Sequence, residues 1–379
     1  MNILFVGPYR QQDEWGYRSQ FILHYLNQTE HNIVSRPIYL NSSPTYNAHI
    51  EKSEFVNNEN QNYDILIQYM LPSFAVYQGE FKKRIGIFHH ETIPNDIPRV
   101  ALNVENLMDE IWVDSKIVAK NLQDIFQRYK ISTIVKPMPP VLNLDNLPPD
   151  PQVPSIRNNT PAIKDRFIFY YIGNIHSDRS GFKEIYTAYL NTFTKQDPVA
   201  LVVYLDTPTP PNNIQEIFDS YRKRISFKNS PLHDPLVHVL NPQQGMIQPT
   251  ERLAMHKDGD CMIHLDYAMT HTSTILEGAL YQNTPIINQN NALHEWLGDE
   301  HFWCVNSYED LCTLPPNTAP PGLYRYTTGE SWYRPIVKSL SETMKVVYTD
   351  KFQRDKKRRA NSQLRQYLHN TSYNNLINI

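Results

Sequence analysis

The run Thr270-His271-Thr272-Ser273-Thr274, with Glu277 one turn further on, holds the residue types best suited to chemistry in this chain. Hydroxyls and free backbone N–H groups gather where a helix is expected to open, near Thr272. A helix N-terminus carries unpaired donors and the positive end of the helix dipole, so it suits a phosphate or diphosphate. Glu277 sits in an otherwise apolar segment, after Ile275-Leu276 and before Gly278-Ala279-Leu280. A carboxylate there can accept both hydroxyls of a ribose, as the acidic residue does in dinucleotide-binding folds. A phosphate cradle followed by a ribose clamp would take a nucleotide-linked sugar. The reading that needs no ligand is an ordinary N-cap cluster with Glu277 as a capping-box partner.

The elements that must position these residues can be read on either side. Cys261 to Leu265 is a short apolar strand feeding the loop, and Thr284-Pro285 opens the next strand. Arg166 to Ile172 predicts a buried strand that ends at Gly173 and Asn174; Arg179 and Lys183 follow, with a helix to about Thr192. A fixed cation there could stabilise a diphosphate leaving group. Lys183 could instead lie on a solvent face. Ala200 to Leu205 and Val237 to Asn241 are further strands, the second placing Leu240 at a strand end.

In the first half, Asn2 to Gly7 is an apolar strand of the kind that opens α/β domains. A loop, Pro8 to Arg18, carries Gly16, Tyr17 and Arg18, with a helix expected from Ser19. Arg18 could meet a phosphate or an anionic acceptor, or stand on the surface. Strands at Tyr63 to Gln68 and Arg84 to Phe88 come next, and the latter delivers His89, His90 and Glu91 to a strand's C-terminal end, where open α/β sheets bind ligands. Neighbouring strand residues point to opposite faces, so His89 and His90 are not expected to share an ion, and no metal site is expected. A short helix before Glu110, then strands at Glu110 to Val113 and Ile134 to Pro137, complete this half. The Pro-, Asn- and Asp-rich stretch after it reads as a stiff linker. Near the C-terminus, Phe302 to Val305 reads as a strand and Trp332 to Tyr348 as a helix. Lys351 to Arg359 is a basic run, a solvated helix face or a contact for an anionic acceptor, a membrane surface or DNA.

The 379 residues suffice for two ordinary domains; 40% hydrophobic and 20% charged residues indicate a folded, soluble chain. A net charge of −3 and a pI near 6.5 give no global attraction to nucleic acid. No run approaches the roughly 18 apolar residues of a membrane span. The three cysteines lack zinc-ligand spacing; Cys304 and Cys312 could pair, but reduced thiols are expected. The start MNILFVGPYR looks like a first strand rather than a signal peptide. These features point to the cytoplasm, with the inner membrane surface as an extension if the basic run meets lipid. Oligomeric state is not legible.

From Asp260 to Pro285 the chain resembles the donor segment of retaining GT-B glycosyltransferases of the family-4 type, where an EGxGL loop leads into a helix whose glutamate holds ribose. The register places that glutamate on Glu277, while Met269 falls where the family has its first glutamate and Thr270 and Thr272 where it has loop glycines. Gly86 to Ser115 resembles the family pattern ending in DEIWVxS, and Gly173 to Lys183 its GRL…RKGF segment, with Asn174 and Ser180 at the usual Arg and Lys positions. The resemblance implies a GT-B architecture: an acceptor domain (1–140), a linker (141–163), a donor domain (164–345) and C-terminal helices (346–379) that pack back on the first domain. It implies His90, with His89 as the alternative, beside the reacting sugar, and at least one of Arg179 and Lys183 on the diphosphate. The donor would be held by Gly16, Gly173, Asn174, Leu240, His271, Thr272, Ser273, Thr274 and Glu277. The acceptor, a glycan or other hydroxyl compound, would lie near Tyr17, Arg18, His89 and Glu91. The implied activity is metal-independent sugar transfer from a UDP- or GDP-linked donor with retention, and no cofactor beyond that substrate. Three other readings share the fold: a transferase acting on modified DNA bases, a sugar-nucleotide hydrolase or epimerase, and a catalytically silent scaffold.

Overall fold

A computed structural model describes residues 1–11, 14–40, 52–55, 62–72, 75, 78–88, 90–94, 106–142, 144, 147–177, 179–206, 211–224, 234–241, 249–270, 272–312 and 330–377. Its first sheet holds β1 (Asn2–Gly7), β2 (Asn32–Pro37), β3 (Ile65–Met70), β4 (Lys83–Phe88), β5 (Glu110–Val113) and β6 (Ile134–Pro137) in the order β2-β1-β3-β4-β5-β6. The second holds β7 (Phe167–Gly173), β8 (Val199–Leu205), β9 (Leu236–Leu240), β10 (Cys261–His264), β11 (Ile286–Asn288) and β12 (Trp303–Val305) in the order β12-β11-β10-β7-β8-β9. Every pairing in both sheets is parallel. Parallel strands are covered on both faces, and the uninterrupted apolar run Val199–Leu205 is buried along its whole length. Each order reverses once, between β1 and β3 and between β7 and β10. Such reversals leave a crevice beyond the strand ends.

Two local readings of the sequence are corrected. The first helix begins at Glu14, not Ser19, and runs to Asn27, so Gly16, Tyr17 and Arg18 lie in its first turns rather than in a loop. Glu14 stands in the first turn, where a carboxylate suits the helix dipole. Gly16 permits this path, because a Cβ there would lie 1.9 Å from the Gln11 carbonyl oxygen. Second, Trp332 is in a strand, β14 (Ser331–Pro335), paired antiparallel with β13 (Ser307–Leu311). The helix starts only at Val337, after Pro335 has closed the strand. Residues 101–105, where a short helix was expected, lie outside the described residues.

One hydrophobic cluster joins the two halves. Phe21, Ile22 and Leu26 from the Glu14–Asn27 helix pack with Leu276 and Ala279 from the Ser273–Leu280 helix, and with Leu364 and Leu368 from the C-terminal helix Lys351–Ile377. That last helix therefore seals the seam between the domains. Part of its basic run ties the helix to the second domain. Arg354 donates to the Tyr348 carbonyl (2.6 Å) and lies over the Phe167 ring, and Lys357 donates to the Asp299 and Phe302 carbonyls (2.5 and 2.7 Å). Lys351, Lys356 and Arg359 remain exposed. Residues 156–159 form a helical turn whose neighbour Ser155 and own Arg157 bind Asp258, anchoring the interdomain segment to the second domain.

Gly181 caps the Phe182–Thr192 helix in the left-handed conformation (φ 67°) directly under the crevice. A Cβ there would stand 2.3 Å from the Leu265 carbonyl oxygen, a backbone atom that cannot step aside. Gly181→Ala is expected to destabilise the fold by roughly 1–3 kcal/mol. Urea unfolding should show this as a lower midpoint with an unchanged m-value.

Candidate active site

The two strand-order reversals face each other, and a cavity of about 220 Å³ opens between them. The second domain lines it from the end of β7 with Gly173 and Asn174, and from the end of β10 with His264 and Asp266. The first domain contributes Glu14 and Tyr17, which follow β1. Arg179 and Arg252 bring positive charge to the wall, and Glu14, Asp206 and Asp266 bring negative charge.

The helix Ser273–Leu280 opens onto this cavity, with Thr272 and Thr274 on the lining. Thr272 has the extended backbone of an N-cap, but its side chain makes no capping bond. Its hydroxyl oxygen is buried without a hydrogen-bond partner. The cap comes from the other domain instead. Ser273 donates its backbone N–H (2.6 Å) and its hydroxyl (2.7 Å) to the two carboxylate oxygens of Glu14. Burial raises the Glu14 carboxyl above its ordinary range, and the Ser273 donors offset part of that rise. An anion from the first domain thus occupies the position where the sequence leads one to expect a phosphate.

Glu277 is fully buried and is no capping-box partner. It accepts from Arg252 Nε (2.6 Å) and Nη2 (3.1 Å), and His256 Nε2 stands 3.4 Å away. Arg252 lies over the Tyr17 ring, 4.9 Å from its centre. Behind them, Tyr170 Oη is 2.8 Å from His256 Nδ1 and accepts from Asn283 (2.9 Å). Burial alone would raise the Glu277 carboxyl, but the Arg252 charge, helped by His256, outweighs it and holds the pKa at about 2. Burial keeps His256 below its ordinary value, and so neutral. Arg252 was not singled out in the sequence; the available signal was a charged residue on the buried face of Pro249–Asp258, four positions before His256.

The remaining sequence candidates divide. Gly173 and Asn174 line the cavity; Asn174 Oδ1 accepts from His176 N–H (2.8 Å) and so fixes the turn. Arg179 also lines it and is ion-paired with Glu91 of the first domain, with Asp266 4.0 Å from its Nε. Lys183, half-buried on the helix after Gly181, and Leu240, half-buried at the end of β9, lie outside the lining. Arg18 is not on the cavity lining. It is buried, bonded through both Nη atoms to Asp114 (2.8 and 2.5 Å) and placed over the Tyr69 ring. His90 is buried just beyond β4. His89 and His271 lie outside the described residues.

Met269, at the position of the family's first glutamate, is wholly buried. It packs with Phe88, Ile93 and Met70 of the first domain, and its N–H donates to the Glu91 carbonyl (2.9 Å). The position that carries the family's first glutamate here joins the domains. His264 was missed altogether, since it reads as part of an apolar strand. Both its ring nitrogens are buried without hydrogen-bond partners at the cavity wall, and burial lowers its pKa, keeping the ring neutral.

No protein-family model matches the sequence, and no curated protein matches it. Solved structures do match. The E. coli trehalose-6-phosphate protein with UDP-2-fluoro glucose bound superposes with a TM-score of 0.65 at 10% identity, over 100% of this chain and 97% of that one. The N-terminal domain of trehalose-6-phosphate phosphatase from Candida albicans gives 0.65 at 11% identity, over 99% and 94%. Sucrose-phosphate synthase from Thermosynechococcus elongatus gives 0.58 at 12% identity, over 98% of each chain. The chain has the GT-B fold: two parallel-sheet Rossmann-like domains facing across a cleft.

The Arg252–Glu277 pair makes stability depend on acid in a defined direction. With a folded pKa of about 2 against an ordinary 4.5, Glu277 stabilises fully above about pH 4.5 and loses that contribution as pH falls toward 2. Arg252→Met leaves a buried carboxylate unpaired and should cost roughly 3–5 kcal/mol. Glu277→Gln should also destabilise. Its unfolding free energy should fall less steeply than that of wild type between pH 4.5 and 2, as read by urea titrations across that range.

Proposed function

We propose that the protein is a glycosyltransferase that moves a sugar from a UDP- or GDP-linked donor to a hydroxyl acceptor, with retention and without a divalent metal. The observation that carries this reading is the meeting, in one interdomain cavity, of the Ser273–Leu280 helix opening with Arg179 and Arg252. In this reading the donor diphosphate takes the place of the Glu14 carboxylate on the Ser273 donors and draws Arg179 from Glu91. A fixed cation and a helix dipole then stabilise the charge that develops as the sugar–phosphate bond breaks. The acceptor oxygen attacks from the face the diphosphate leaves, and its proton passes to the departing phosphate oxygen. Glu277 would serve the ribose by holding Arg252 at the wall. The unpartnered His264 is available to hydrogen-bond the sugar or the phosphate. The glycosyl-transfer names of neighbours such as sucrose-phosphate synthase, and the UDP-sugar bound in another, support the donor class.

A silent scaffold is the second reading. It is favoured by Met269 being built into the domain seam and by both wall cations already having carboxylate partners. The exposed Lys351, Lys356 and Arg359 leave peripheral membrane contact open as part of the proposal. No helix among the described residues is long and apolar enough to cross a membrane.

Thermal unfolding with a panel of UDP-, GDP-, ADP- and dTDP-sugars separates the two. A ligand present at about 100 times its Kd should add roughly 2.7 kcal/mol to the folded state. One nucleotide class should stabilise wild type, with the shift lost in Arg179→Ala. No shift with any nucleotide would put the scaffold first. A shift without sugar transfer to any acceptor would leave a donor-binding but silent protein.

A further inference from the structure

A second constellation lies away from the cleft. His294 sits in the short helix Ala292–Leu297, Asp299 follows the left-handed Gly298 (φ 78°) that closes it, and Cys304 is the middle residue of β12. The Gly298 N–H bonds back to the His294 carbonyl (2.9 Å), and this turn folds Asp299 over the histidine. One ligand atom from each of the three side chains lies within 4.8 Å of the other two. None of the three lines the interdomain cavity.

The hydrogen bonds of His294 carry the argument. Its Nδ1 is 2.7 Å from the Gln289 carbonyl oxygen, which can only accept, so Nδ1 bears the proton. Its Nε2 is 2.7 Å from Asp299 Oδ1, another acceptor. A neutral ring would then set two lone pairs against each other, so a cation must mediate between Nε2 and the carboxylate: a second proton or a metal ion. The arrangement matches the way metal-bound histidines are held, with the far ring nitrogen donating to a carbonyl that fixes the tautomer. That carbonyl is itself held in place, since Gln289 N–H donates to the Val305 carbonyl (3.1 Å), next to Cys304. The Lys357 ammonium is close by, but its two bonds go to the Asp299 and Phe302 main-chain carbonyls and its charge lies over the Trp303 ring. The Cys304 thiol instead faces the Asp299 carboxylate, and burial and that carboxylate push its pKa up, so a bound ion would replace the thiol proton between them.

We propose that His294, Asp299 and Cys304 form a zinc(II) site with water in the fourth position. One imidazole, one thiolate and one carboxylate are the donor types zinc takes in tetrahedral sites, and a thiolate disfavours calcium or magnesium. Binding releases the Cys304 proton to solvent and, where His294 is doubly protonated, its Nε2 proton as well. The ion would clamp the 298–302 turn between helix and strand. The spacing, four residues between successive ligands, resembles no zinc motif read from cysteines alone, which is why the sequence did not disclose it.

The test uses the full chain, stripped with EDTA and titrated with zinc against a chromophoric chelator, then with cobalt(II) as a spectroscopic probe. One equivalent should bind, and His294→Gln and Cys304→Ser should each weaken binding by about tenfold or more. Cobalt should give a sulfur-to-metal charge-transfer band that disappears in Cys304→Ser and persists in Cys312→Ser. Asp299 is largely exposed, so Asp299→Asn serves as a variant expected to fold normally and still lose affinity. Overturning outcomes are no stoichiometric binding by wild type, unchanged affinity in Asp299→Asn, or a charge-transfer band that follows Cys312.

Discussion

Ser273 gives its backbone N–H and its hydroxyl to Glu14, a carboxylate from the other domain, and the cleft is organised by that contact. The same pattern recurs along the seam. Glu91 of the first domain pairs with Arg179 of the second. In the opposite sense, Glu295 accepts from Ser115 Oγ (2.7 Å) and from Lys116 N–H (2.5 Å) at the start of the Lys116–Arg128 helix. Both of these helix openings are thus satisfied by a carboxylate reaching across from the partner domain. An unsatisfied donor buried there would cost about 1–3 kcal/mol, so these contacts hold the domains together as well as completing each helix. A diphosphate arriving at Ser273 exchanges one anion for another in a site already arranged for negative charge. Burying a charge from nothing would be much harder.

Glu277 plays the complementary part from below. Its salt bridge fixes Arg252 at the wall, Tyr17 covers that guanidinium, and His256, Tyr170 and Asn283 continue the network. Asn361 of the C-terminal helix donates to the Asn283 carbonyl (2.7 Å), so the network ends on the element that bridges both domains. A residue expected from the sequence to hold a ligand directly is, in the structure, the anchor of one that reaches the cavity.

How much the sequence disclosed depended on distance along the chain. The strand runs, the crevice beyond Gly173 and the helix opening near Thr272 were legible because each is a local pattern of apolar residues, glycine and hydroxyls. The roles of Glu14, Arg252 and Met269 were not, because each depends on a partner far away in the sequence: Ser273, Glu277 and Glu91. His264 was hidden for another reason, being one polar residue in an otherwise apolar strand that opens toward the cleft only because β10 sits at the reversal of strand order. Arg18 carried a misleading signal. A cation soon after the first strand suits an anion site, yet here it is spent on a buried pair with Asp114.

The most direct measurement is calorimetric titration of UDP into wild type and Glu14→Gln. If the diphosphate and the Glu14 carboxylate compete for the Ser273 donors, removing the charge should tighten UDP binding by about tenfold, or about 1.4 kcal/mol. Equal or weaker binding by Glu14→Gln, or no binding of UDP to either protein, would contradict the account of this cleft as a nucleotide-diphosphate site.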